Sequence, residues 1–89
     1  MLFKELVRRL GMGKAGQALK RVLEEYGISQ NRLAVEMGIG RSNVHRWVNN
    51  LADPVGDAIL EIRDGLKRID PAAAAEFTRL YWGKDELGE

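Results

Sequence analysis

Residues 28–50 read ISQNRLAVEMGIGRSNVHRWVNN, and this stretch decides the fold. Ser29 is a good N-cap, because its hydroxyl can accept from one of the unpaired N–H groups of a first helical turn. Ile28 stands at N′ and Leu33 at N4, the staple pair that sets how the chain enters a helix. Leu33, Ala34 and Met37 then share an inner face, and Gly38 stops the helix after barely two turns. Ile39 is a lone apolar residue between Gly38 and Gly40, and helical spacing resumes over 41–50 with Val44, Trp47 and Val48 inward. The spacing predicts helices over 30–37 and 41–49. The three-residue glycine turn between them is of the length that sets two helices at roughly 90–120°. Trp47, in register with Val44 and Val48, is expected in the core.

On either side of this stretch the apolar periods are also helical, and none alternates as a strand would. Ala15, Leu19, Val22, Leu23 and Tyr26 mark a helix ended by Gly27. Asp53-Pro54 and Asp70-Pro71 each read as an N-cap followed by proline at N1. Between them Ala58, Ile59, Ile62, Leu66 and Ile69 line one face, with Gly65 costing that helix ~1 kcal/mol relative to alanine. After Pro71 come four alanines, then Phe77, Leu80 and Tyr81, with Trp82 one position off the stripe and expected to be partly exposed. The fold class that follows is all-α and compact. Residues 15–83 form the domain, residues 1–14 a helical segment or arm (Leu2, Phe3, Leu6, Val7, Leu10) with a glycine-rich hinge, and residues 84–89 a short acidic tail.

Composition removes most chemistry. The chain has 89 residues, no cysteine and one histidine, His45. A thiol nucleophile, a disulfide framework and a zinc site built on thiolates or clustered imidazoles are therefore excluded. Serine occurs only at 29 and 42 and threonine only at 78, so neither an enzyme nor a cofactor or small-molecule site is expected. No apolar run approaches the ~20 residues of a membrane span. Residues 1–10 carry Lys4, Glu5, Arg8 and Arg9, which rules out a signal peptide, so a cytoplasmic location is expected. The net charge of +1 hides a split: residues 1–50 hold nine Lys/Arg against four acids, and residues 51–89 five against nine. Such asymmetry suits a first half that meets a polyanion.

The stretch 28–50 resembles the helix-turn-helix of the phage-repressor family, the Cro and lambda-repressor type. The likeness runs through Ser29-Gln30, Leu33-Ala34, Met37-Gly38-Ile39, Arg41-Ser42, Val44, Arg46-Trp47 and Asn49 to Pro54. It covers roughly residues 15–70, and the family's five-helix outline, one helix before the motif and two after, fits as well. Two positions depart from the pattern. Gly40 replaces a capping serine, a loss of only a few tenths of a kcal/mol, and Asn50 replaces a glycine, although asparagine tolerates the same left-handed backbone.

The resemblance implies sequence-specific binding of double-stranded DNA by a small transcriptional regulator, with the helix 41–49 in the major groove. Arg41, Ser42, Asn43 and Arg46 are then the base-reading residues. Arginine pairs bidentately with guanine O6 and N7, and asparagine with adenine. Gln30, Arg32, His45, Asn49 and Lys14 are the phosphate and positioning residues. The expected partner is a palindromic operator bound by a homodimer. The alternative is a protein-interaction module of the same fold, an adaptor or antitoxin, with DNA secondary. Two further signals carry less. Residues 11–16 spell G-x-G-x-x-G but lack the strand and βαβ context of a dinucleotide site, and are read as a hinge and helix start. Asp57, Glu61 and Asp64 read as a solvated face, with Asp64 and Arg68 spaced for an i,i+4 pair.

Overall fold

The structure, a computed structural model, describes residues 14–83. Five helices follow one another: α1 (Lys14–Tyr26), α2 (Gln30–Met37), α3 (Arg41–Val48), α4 (Asp57–Ile69) and α5 (Pro71–Trp82), with no strand among the described residues. The expected helical segment of residues 1–10, the hinge at 11–13 and the acidic tail lie outside the described residues.

The main helix contacts close a ring: α1 packs on α3, α3 on α2, α2 on α4, α4 on α5, and α5 back on α1. Every helix sends an apolar side chain to the middle. Leu19 and Val22 of α1, Leu33 of α2, Val44 of α3, Ile62 and Leu66 of α4 and Phe77 of α5 are fully buried, and among the described residues no charged or polar residue is buried with them. Ile28, Met37, Ile39, Trp47, Ile59, Ile69, Leu80 and Tyr81 are half-buried around this centre. Trp47 thus covers the core rather than filling it. Ala73 and Ala74 are buried, which lets α5 lie close against its neighbours. Trp82 is 42% exposed and meets the Tyr81 ring edge-on at 4.6 Å. Tyr26, expected inside, is exposed: it is the last residue of α1, where Gly27 at φ 63° turns the chain, and it lies outside the set of residues packed on the core.

Of the two Asp-Pro pairs only the second caps a helix. Asp70 accepts a hydrogen bond from the Ala72 N–H at 3.0 Å, with Pro71 at the first helical position. Asp53-Pro54 instead belongs to the connection, where Pro54 is buried and α4 starts later, at Asp57. The reason is Gly56, whose φ of 49° breaks the path from Pro54 into the helix and resets its start. The i,i+4 pair between Asp64 and Arg68 does not form either: Asp64 pairs with Arg63 at 3.0 Å.

Two glycines act through space. Gly65 is buried, and a Cβ there would lie 2.8 Å from Met37 Cγ, so the residue that weakens α4 as a helix is also what lets it lie on α2. Gly16, expected in a hinge, is a buried residue inside α1, and a Cβ on it would run into the carbonyl oxygen of Trp47. Gly16→Ala would raise helix propensity by ~1 kcal/mol at an exposed site. Here it should lower stability instead, by about 1–3 kcal/mol, because a backbone atom cannot step aside as a side chain does. Denaturant unfolding checks this, and equal or higher stability would show that α1 and α3 do not approach so closely.

Candidate nucleic-acid interface

The exposed surface of α3 is built from its ends inward. Ser29 Oγ accepts from the Arg32 N–H at 2.9 Å and starts α2. Gly38, at φ 71° and ψ 31°, ends it: its own N–H reaches the Val35 carbonyl at 3.1 Å, and the Ile39 N–H reaches that of Ala34 at 3.0 Å. These two bonds are the Schellman pattern, and they require the left-handed backbone that glycine adopts without strain. Ile39 is thereby turned against the core, and Gly40 follows as the N-cap of α3, in extended backbone and without a side-chain cap.

Helix α3 ends by the same device. Asn50 has φ 58°, the Asn50 N–H bonds to the Trp47 carbonyl at 3.2 Å and the Leu51 N–H to that of Arg46 at 2.8 Å. The departure at Asn50 is therefore accommodated in the left-handed conformation. Its Oδ1 is buried without a partner, lying close to Gly16.

With both ends set, Val44 and Val48 face the core and Arg41, Ser42, His45, Arg46 and Asn49 are exposed, with Asn43 half-buried at their flank. No acidic residue occurs in α3. Arg46 donates to Asn43 Oδ1 at 3.1 Å. The amide nitrogen of Asn49 lies 2.8 Å from the His45 carbonyl and 3.2 Å from His45 Nδ1. Arg41 and Ser42 make no side-chain hydrogen bond or ion pair with another described residue.

The structure brings the four α3 candidates together with His45 and Asn49, and Gln30 lies near their far end. An open groove of about 480 Å³ runs between Lys20, Gln30 and Asn49, over Leu23, Ile28 and Val48. Lys20 is an exposed position of α1, and its place beside Gln30 and Asn49 depends on how α1 docks, which no local signal in the sequence gives. Arg32 is exposed but pairs with Glu36 at 3.9 Å. Arg68 of α4 reaches the same carboxylate at 3.2 Å and the Glu36 carbonyl at 2.8 Å, tying α4 to the end of α2. Lys14 stands elsewhere, its ammonium 6.0 Å from the Tyr81 ring centre. Glu76, also on α5, has its carboxyl held below the usual range by the hydrogen bond from Arg79, against a burial that raises it.

A family model described as helix-turn-helix matches residues 19–72, more than half of the chain, from the middle of α1 into the start of α5. The chain belongs to the helix-turn-helix family. This is a family of DNA-binding regulatory domains rather than of enzymes. No curated protein and no solved structure matches. Among the described residues, no helix is long and apolar enough to cross a membrane.

The close of α3 is open to a direct check. Asn50→Gly keeps the left-handed turn and removes the unpartnered oxygen, so it should leave stability unchanged or raise it by up to ~1 kcal/mol. Asn50→Val should cost about 1–2 kcal/mol, since a branched side chain resists positive φ. Thermal unfolding of the two variants tests this, and equal losses in both would contradict the backbone role.

Proposed function

We propose that this chain is a sequence-specific regulator of transcription of the phage-repressor subtype, binding double-stranded DNA with residues 41–49 in the major groove. The observation that carries the reading is the composition of the outer face of α3: Arg41, Ser42, His45, Arg46 and Asn49, exposed, without an acid, on a helix fixed at both ends. The N-terminal residues of such a helix meet base edges, while the helix before it crosses the backbone. Arg41, Ser42 and Arg46 read bases, and Asn43 belongs to the same base-reading end of the helix. Gln30, Arg32, His45, Asn49 and Lys14 serve the phosphates. The acids of α4, Asp57, Glu61 and Asp64, sit in a different helix and favour an orientation that keeps it off the DNA.

A single domain reads one half-site, and a homodimer on a palindromic operator is the arrangement we infer. Leu51 and Val55 in the connection after α3, and Leu60 on α4, are 68%, 70% and 43% exposed and are the apolar residues we assign to self-association. The adaptor or antitoxin reading is favoured by a different observation, the exposed Trp82 against Tyr81 at the end of α5.

Selection of bound sequences from random duplex DNA, with the size of the complex measured alongside, tests the proposal. A symmetric consensus bound by two chains is expected. On that operator, Arg41→Ala and Arg46→Ala should each cost about 1–3 kcal/mol and relax one position. Arg32→Ala should weaken all sequences alike and reduce the salt slope by about one unit. Equal losses on specific and random DNA for both α3 arginines would remove the base-reading role. No effect of either would take α3 out of the groove and favour the protein-interaction reading.

A further inference from the structure

We propose that Asn43 does not read a base of its own but holds Arg46 in position to read a guanine, an inference that rests on α3 lying in the major groove. Asn43 and Arg46 are three residues apart on one side of α3, with Asn43 half-buried and Arg46 exposed beyond it. The Asn43 amide has an acceptor end and a donor end, and each has a partner that accepts only one assignment. The Gly40 carbonyl can only accept, so the atom 3.4 Å from it is the amide nitrogen. The Arg46 guanidinium can only donate, so the atom 3.1 Å from its Nη2 is Oδ1. The two neighbours agree on one orientation of the amide.

That orientation opposes the reading of Asn43 as an adenine reader. Bidentate pairing with adenine uses Oδ1 to accept from N6 and the NH₂ to donate to N7. Both groups are already turned toward the chain itself. For Arg46 the consequence is the opposite. A guanidinium has five N–H donors, and one bond to Asn43 leaves the others for a base edge. Arginine loses a large share of its rotamer freedom when it is ordered, so a side chain tethered before DNA arrives has less to lose on binding. Guanine, which offers O6 and N7 as a pair of acceptors, is the edge such a fork fits.

The test uses the full chain, the operator selected from random DNA, and every single base-pair change in it. Three variants are compared, each checked for helix content and unfolding midpoint. Arg46→Ala should lose about tenfold or more of the discrimination at one G·C pair. Asn43→Ala should lose part of the discrimination at that same pair and at no other. Asn43→Asp separates the two roles: a carboxylate still accepts from Arg46 but has no NH₂ with which to pair with adenine. It should keep the preference for guanine at the Arg46 pair, while its negative charge weakens all sequences alike. An acid in the first turn of α3 also suits the helix end, so folding is preserved.

The proposal is overturned if Asn43→Ala and Asn43→Asp both relax a base pair other than the one Arg46 reads, which makes Asn43 a reader. It is also overturned if Asn43→Ala leaves discrimination unchanged, or if Asn43→Asp loses it at the Arg46 pair as fully as alanine does. A folded wild-type chain with no preference among duplex sequences is a separate result. It removes the major-groove reading itself, and the positioning role with it.

Discussion

Helix α3 is eight residues long, too short to hold its shape alone in water, so its existence depends on burying one face. Val44 and Val48 supply that face, and α1 and α2 receive it. The contact with α1 is close enough that the backbone of one helix meets the backbone of the other at Gly16 and Trp47. Everything exposed on α3 inherits its position from this contact. A loose inner face would leave Arg41 and Arg46 on a fraying turn, where phosphate could still attract them but no pattern of base edges could be read. Affinity for a polyanion needs only charge, whereas discrimination between bases needs charge at a defined place.

Much of this arrangement was legible along the chain because its causes are local. Ser29 caps the helix that follows it, Gly38 turns where a left-handed residue is required, Asp70-Pro71 starts α5, and Leu33, Val44 and Val48 fall inward by spacing alone. The errors share a different cause. Asp53-Pro54 has the same local signature as Asp70-Pro71, but Gly56 lies three residues past Asp53 and its positive φ places the helix start beyond it. Gly65 looked like a weak point of its helix and Gly16 like part of a hinge, and only the helix passing opposite shows how little room either has for a side chain. Arg68 looked like half of a pair within α4, yet its partner is Glu36, 32 residues away.

The candidate surface divides in the same way. Its residue types and their outward spacing were readable, since polar residues at 41, 42, 45, 46 and 49 oppose apolar ones at 44 and 48. The hydrogen bonds among them were not. Asn43 and Arg46 sit at a spacing that permits contact but does not demand it, and the same holds for His45 and Asn49. Lys14 is the clearest limit. It was legible only as a basic residue near the start of the first helix, and its nearness to an aromatic ring on α5 depends on how α1 and α5 pack.

The charges of the motif have two conditions, and these set different physical roles. Arg32 and Arg68 share one carboxylate, Glu36, so the charge of the first motif helix is partly compensated within the protein. An exposed pair of this kind contributes little to stability, ~0–1 kcal/mol, so a phosphate can replace Glu36 as the partner of Arg32 at small cost. Arg41 has no such partner among the described residues, and Arg46 is held by a neutral amide rather than an acid. Helix α3 therefore keeps its full positive charge on its exposed face, with no internal ion pair to break before a polyanion is met. Of its two arginines one is free to search and the other is already oriented. A surface so divided can gain its first contact through charge and its selectivity through geometry.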